Sequence, residues 1–174
     1  MKFAPLAALL LSAAPALAED ITTSALIATQ GLAGAATALE AQTPSPDRDM
    51  ALAATRFLGG IEGAYRARWR IGATDPLLPV PALGSELPPN PQPEPMRPDF
   101  LNALAADLGA AMRDTRAMLP QDGDAALVLD LNDLWLDVNG DGHRDPMEGL
   151  PELAGIPVPD GASPVIRFDA ADLQ

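Results

Sequence analysis

The chain contains no cysteine. This absence excludes disulfide bonds, thiolate metal sites and a cysteine nucleophile, so a packed core or a bound metal must stabilise the fold. The sequence also lacks the signature motifs of serine hydrolases, zinc peptidases, β-lactamases and phosphate-loop enzymes. Carboxylates alone can hydrolyse glycosides, but nothing marks two of the 24 acids as a catalytic pair. The chain has one histidine, His143, and only two tryptophans and one tyrosine to line a sugar-binding cleft. No catalytic residue is predicted, and the chain is not expected to be an enzyme.

No apolar run in the chain is long enough to span a bilayer. The longest, residues 3–11, follows the positively charged Lys2 and is succeeded by a small-residue cleavage site ending at Ala18. These three features are typical of a secretory signal peptide. We therefore expect residues 1–18 to be removed, leaving a periplasmic or secreted bacterial protein that begins near Glu19 and has no membrane span.

Lysine is absent after Lys2, and every acidic residue follows the expected cleavage site. The mature chain then carries 10 arginines against 24 acids, a net charge of −14. A chain this acidic repels nucleic acid and anionic membranes and attracts cations. Nucleic acid is therefore excluded as a partner, and a metal cation is favoured.

Oxygen-bearing side chains are concentrated in residues 137–148, which we call the acidic loop. Its sequence, DVNGDGHRDPME, matches the pattern D-x-[DN]-x-[DN]-G-x5-E at every constrained position. Gly142 at position 6 allows the sharp bend that such a loop needs, because glycine tolerates a positive φ. The candidate metal ligands, at positions 1, 3, 5, 7, 9 and 12, are Asp137, Asn139, Asp141, His143, Asp145 and Glu148.

This pattern resembles the calcium-binding loop of the EF-hand family, and the resemblance covers only these twelve residues and their flanks. It implies that calcium is bound by His143 through its backbone carbonyl, by Asp145 through a water molecule and by Glu148 with both carboxylate oxygens. Position 8 departs from the family, since Arg144 replaces the usual aliphatic residue, and no second loop exists in the chain. A solitary EF-like loop is therefore expected. The alternative is a solvated turn that binds no metal.

The rest of the chain predicts a mainly α fold: a small Ala-rich helical domain with a Pro-rich surface connector and at most a short strand pair. Residues 19–72 are expected to form a helical pair, residues 73–98 the connector with its nine prolines, and residues 99–174 a third helix plus the calcium-loop region. Together, residues 19–174 are expected to form one domain.

Local signals place the individual elements. Apolar spacing predicts helices over residues 20–41, from Asp47 or Asp49 to about Ile71, and over residues 98–118. Residues 125–136 fit a helix, which we favour, but leucines at alternate positions also fit a strand. A short strand is predicted over residues 165–168.

The segments that follow the acidic loop give weaker signals. Asp145 and Pro146 resemble the start of an exit helix, with Glu148 as its capping acid. Residues 150–159 are expected to be irregular. Residues 169–174 resemble the first turn of a helix that the chain does not complete, so the sequence could be a fragment of a longer protein.

Two other stretches allow alternative functions. Arg66, Arg68 and Arg70 surround Trp69, which fits either a partner-binding patch or cations at a helix C-terminus, with Glu62 pairing with Arg66. The connector fits either a proline-recognition ligand or a stiff spacer. The leading hypothesis is an exported protein whose loop binds Ca²⁺ for stability; the alternatives are a cell-envelope interaction module and a fragment of a larger hydrolase.

Overall fold

The structure is a computed structural model that describes residues 22–74, 87–119, 125–159 and 161–169, together with Asp172. The predicted signal peptide, residues 1–18, lies outside the described residues, as do most of the C-terminal turn expected at residues 169–174 and residues 75–86 of the connector. Export and the C-terminal turn therefore stay predictions.

Three long helices are present where the apolar spacing predicts them: α1 at Thr23–Glu40, α2 at Pro46–Arg70 and α3 at Phe100–Met118. The hydroxyl of Thr22 caps α1 by accepting the amide of Ala25 at 3.2 Å. Ser45 caps α2 in the same way, so this helix begins slightly earlier than the predicted Asp47 or Asp49. Local signals thus fix these helices to within about three residues.

Helices α2 and α3 approach closely through small residues. An added Cβ at Gly60 would lie only 2.6 Å from the Cβ of Ala111 on α3, whereas one at Gly59 would have no atom within 4 Å. Ala64 and Leu104 form a small buried cluster at the same interface. The α2–α3 interface therefore depends on the missing side chain at Gly60.

The main core connects α1 and α2 to the segment around the acidic loop. Ile27 and Met50 are fully buried within it, and so is Val138 inside the loop itself. Leu87 of the connector is also buried there, so the connector joins the core at this residue. The remaining described part of the connector, residues 88–98, contains no helix or strand.

Residues 125–136 do not form the favoured helix. They contain a strand, β1 (Ala126–Asp130), followed by a short 3-10 turn (Leu131–Asp133). The predicted strand is present as β2 (Val165–Asp169), and it pairs with β1 in an antiparallel register that sets Leu127 opposite Phe168. The helical interpretation was wrong because the hydrogen-bonding partner of this stretch lies about forty residues along the chain.

The region after the acidic loop also differs from the prediction. No helix begins at Asp145 and Pro146: Asp145 lies in irregular backbone and Pro146 lies in a turn. Instead a short helix, α4, spans Leu150–Ala154 within the stretch expected to be irregular. It ends at Gly155 with a φ of 63°, the left-handed conformation typical of a helix C-terminus. A helix that begins at Pro146 cannot continue through Glu148 and Gly149, because these residues are held in an antiparallel bridge to residues 135–136.

The described residues form a mainly α fold with a single two-stranded sheet, as the sequence predicts. Within the described ranges, no helix has the length and apolar character needed to cross a membrane.

The substitution Gly60→Ala tests the close approach of α2 and α3. We expect it to lower the free energy of unfolding by about 1 to 2 kcal/mol, because overpacking outweighs the usual gain of alanine over glycine in a helix. Gly59→Ala is the matched control and should raise the stability by up to about 1 kcal/mol, since its methyl group meets open space. Chemical denaturation measures both, and an equal gain in the two variants would contradict the packing.

Candidate metal centre

The two ends of the acidic loop are held side by side. The amide of Leu136 donates to the carbonyl of Glu148 at 2.8 Å, and the amide of Leu150 donates to the carbonyl of Leu134 at 2.8 Å. Trp135 and Gly149 therefore pair as a single antiparallel bridge. This bridge places loop position 1 next to position 12, the two ends of the predicted ligand set.

Trp135 anchors the entry to the loop in the core. Its indole nitrogen donates to the backbone carbonyl of Ile27 at 2.8 Å, in a buried hydrogen bond. Four residues after Ile27, Gly31 breaks the regular geometry of α1 with a φ of 68°, and an added Cβ there would lie 3.0 Å from the indole ring. The indole therefore packs into the kink of α1, where only glycine leaves it enough room.

Inside the loop, short polar side chains curl the backbone. The Oδ1 atom of Asp137 accepts the amide of Gly140 at 2.8 Å, and its Oδ2 atom accepts the amide of Gly142 at 3.2 Å. Both glycines have φ near 80°, at 79° and 76°. The same type of turn recurs at positions 3 and 5, where oxygens of Asn139 and Asp141 accept the amides of Asp141 and His143, each at 2.8 Å.

Glu148 closes the loop from its far end. Its side chain is 1% exposed. The Oε1 atom accepts the amides of Val138 and Asn139 at 2.8 and 3.2 Å, and Oε2 accepts the amide of Asp145 at 3.0 Å. The contact with Asp145 is the one expected of a capping acid, although no helix begins there. Among the described residues no arginine forms an ion pair with this buried carboxylate, so backbone dipoles alone stabilise its charge.

The exposed ligand candidates lie around the amide group of Asn139. Its Nδ2 atom donates to Oδ2 of Asp141 at 3.1 Å and to Oδ2 of Asp145 at 3.2 Å. The ring of His143 is 85% exposed, which leaves the backbone carbonyl as the donor that the loop pattern implies for this position. An amide N–H group therefore lies between two carboxylates, the place where a cation would balance their charge.

The six candidates share one loop but do not form a coordination shell. In residues 22–74, 87–119, 125–159 and 161–169, no group of three or more Asp, Glu, His or Cys side chains is drawn together closely enough to hold a metal ion. All the donor types are nevertheless oxygens, the chemistry that calcium requires. The ligand set stays a prediction, and binding would require Asn139 to turn its oxygen, in place of its nitrogen, toward the ion.

Two side chains of helix α2, Glu62 and Arg66, bind the start of the acidic loop. The Nε and Nη2 atoms of Arg66 donate to the carbonyl of Asp137 at 3.0 and 2.8 Å, and Nη2 also reaches Oδ2 of Asp137 at 3.1 Å. Glu62 accepts the amide of Asp137 at 2.9 Å and pairs with Arg66 at 2.9 Å. The predicted pairing of Glu62 with Arg66 is confirmed, but no local signal indicated that both would bind a loop 71 residues away.

Burial raises the pKa of Glu62 above its ordinary value of 4.5. The amide of Asp137 and the charge of Arg66 oppose this shift, and the nearby charge of Asp137 adds to it. Burying the charge of Glu62 is thus unfavourable, and its contacts with Arg66 and with the backbone amide of Asp137 offset this penalty.

Arg144, at loop position 8, has a hydrogen-bonding partner within the chain. At this position, EF-hand loops usually carry an aliphatic residue that pairs with a neighbouring loop. Here the side chain of Arg144 donates to the carbonyl of Asn132 at 2.9 Å, in the 3-10 turn that precedes the loop. The residue that departs from the EF-hand pattern is therefore held against the segment that leads into the acidic loop.

The arginine patch considered as a partner-binding site is only partly on the surface. Arg68 is fully buried, with its guanidinium 5.7 Å from the ring centre of Tyr65. Arg66 and Arg70 line a cleft of about 390 Å³ between α2, α3 and the connector, together with Arg97 and Phe100. The patch is therefore divided between the core and this cleft.

Comparison with known proteins adds no family: no family model, no curated protein and no solved structure matches this chain. The proposal of function is therefore based on the acidic loop.

Replacing Trp135 by phenylalanine tests how the loop entry is anchored. The change removes the indole donor and leaves the buried carbonyl of Ile27 without it, so we expect a loss of about 1 to 3 kcal/mol in the free energy of unfolding. Trp69→Phe is the matched control, because the half-buried Trp69 has no indole hydrogen bond in the described structure. Urea denaturation measures both, and equal losses would contradict the anchoring role.

Proposed function

We propose that the acidic loop binds one calcium ion and that binding stabilises an exported protein. The observation that supports this most is the position of Glu148. Its buried carboxylate lies at the joint between the two ends of the loop, held by amides on both sides. Bringing ligand positions 1 and 12 together costs conformational entropy, and most of this loss has therefore already occurred on folding.

The ligands would be those of the loop pattern. Side-chain oxygens of Asp137, Asn139, Asp141 and Glu148, the carbonyl of His143 and a water held by Asp145 would supply the oxygens that a hard cation prefers. Four carboxylates against the single positive charge of Arg144 give the twelve residues a net charge of −3 with His143 neutral. This local charge attracts divalent cations.

The size of the effect follows from mass action. A ligand that binds only the folded state adds RT ln(1 + [L]/Kd) to stability. For dissociation constants of about 10⁻⁴ to 10⁻³ M, typical of extracellular calcium modules, ~5 mM calcium adds about 1 to 2 kcal/mol. In a domain of this size, such a gain raises the melting temperature by about 2 to 8 °C.

Calcium titration of the purified protein tests this proposal. We expect one saturable site by calorimetry and a rise in melting temperature with calcium, smaller with magnesium. Asp141→Asn should weaken binding severalfold, because it removes one charge but keeps the oxygen that accepts the amide of His143. Glu148→Gln should weaken it further, since it removes the buried charge.

The matched control for these variants is Asp114→Asn. It removes the same charge from an exposed position on α3, outside the loop. We expect its calcium affinity to stay within about twofold of the unsubstituted protein, because an exposed charge on another element is screened by solvent and salt. Failure of the unsubstituted protein to bind, or an equal loss in Asp114→Asn and Asp141→Asn, would contradict a site in the loop.

Export forms the second part of the proposal and rests on residues 1–18. When the full chain is produced in a bacterium, the periplasmic or secreted protein should have the mass of a chain beginning at Glu19. Intact-mass spectrometry of the fractions measures this. A full-length protein confined to the cytoplasm would contradict export and leave the calcium measurement unaffected.

A second candidate function is an interaction module. It is favoured by the cleft beside the connector, where Arg70 and Arg97 lie near Phe100. Arginine side chains and aromatic rings are both enriched among the residues that contribute most to protein interfaces. This candidate requires Arg70→Gln with Arg97→Gln to abolish binding of a purified envelope partner at unchanged calcium affinity.

A further inference from the structure

Arg66 brings a positive charge from α2 to the first ligand of the acidic loop. We infer that Arg66 competes with the divalent cation for Asp137 and thereby sets a low calcium affinity, an inference that rests on the proposed function. The guanidinium makes three hydrogen bonds to Asp137, two to its carbonyl and one to its carboxylate. The positive charge of Arg66 thus already neutralises part of the negative charge that would attract the ion.

The contacts of Asp137 show what binding would disturb. Its Oδ2 atom accepts both Arg66 at 3.1 Å and the amide of Gly142 at 3.2 Å, while Oδ1 accepts the amide of Gly140 at 2.8 Å. A carboxylate that shares its charge with a guanidinium attracts a second cation less strongly. A divalent ion beside Asp137 would also be repelled by the positive charge of Arg66.

Arg66 has an alternative position available when the ion binds. Its side chain is 36% exposed and lines the cleft between α2 and α3, so the guanidinium can move toward solvent. Glu62 would keep hold of it, since this carboxylate lies one helical turn earlier at 2.9 Å. In the absence of an ion, Arg66 therefore attaches the loop to α2. A bound ion would replace this attachment by its own coordination to the loop.

The other arginines near the loop do not share this role. Arg144 is directed to the carbonyl of Asn132 at 2.9 Å. Arg70, one turn after Arg66 on α2, lies 3.9 Å from Glu94 of the connector. Arg70 is thus a matched control: it has the same chemistry and the same helix, with a different acidic partner.

The test compares Arg66→Gln with Arg70→Gln in the full chain, using calcium chloride as the probe in calorimetry at fixed ionic strength. We expect Arg66→Gln to bind calcium about tenfold more tightly, because a unit charge a few ångströms from the ion is removed from a partly solvated site. Without calcium its melting temperature should fall, because the attachment to α2 is lost. Arg70→Gln should change the affinity by less than about threefold.

The outcomes separate this inference from the proposed function. If neither the unsubstituted protein nor Arg66→Gln binds calcium, the proposed function fails and the inference with it. If the unsubstituted protein binds and Arg66→Gln binds equally or more weakly, the proposed function stands and competition by Arg66 is overturned. An equal gain in Arg66→Gln and Arg70→Gln would also overturn it, since general charge repulsion would then explain the effect.

A second measurement uses the unsubstituted protein and therefore does not depend on whether Arg66→Gln folds. In the unsubstituted protein, the Nε–H resonance of Arg66 reports its hydrogen bond to the carbonyl of Asp137. We expect this resonance to shift and to lose protection from exchange as calcium saturates the site. A resonance unchanged at saturating calcium would overturn the inference without any substitution.

Discussion

The buried carboxylate of Glu148 is the constraint on which the C-terminal half of the molecule depends. It accepts amides from Val138 and Asn139 at the start of the acidic loop and from Asp145 near its end. A charge buried to this extent is stable only when hydrogen bonds replace its hydration. Satisfying Glu148 therefore requires the loop to curl, and the curl brings the backbone bridge between Trp135 and Gly149 into register.

Helix α2 transmits this constraint to the rest of the fold. One face packs against α3 at Gly60, another contributes to the main core, and Glu62 and Arg66 hold the backbone of Asp137. The loop is consequently attached to the helices by polar contacts as well as by the indole of Trp135. In a chain with no disulfide, these attachments make the stability of the helices and the conformation of the loop interdependent.

The parts that could be predicted from sequence are those with local causes. Capping by Thr22 and the turn geometry of the acidic loop depend on residues within a few positions, and both follow from the sequence. Strand β1 could not be distinguished from a helix because its partner, β2, lies far along the chain. The contact of Arg66 with Asp137 is equally non-local. The loop pattern specifies Asp141 and Asp145, but it does not specify that the amide nitrogen of Asn139 donates to both.

The amide of Gly142 gives the most direct test that the acidic loop is a calcium site, because it donates to Oδ2 of Asp137, the first predicted ligand. Two-dimensional ¹H–¹⁵N NMR during a calcium titration follows this proton directly. The account predicts a saturable shift with one-to-one stoichiometry, accompanied by residues 137–148 and little else outside the contacts of Arg66. No shift at Gly142, or weak unsaturable shifts spread over acidic residues throughout the surface, would contradict it.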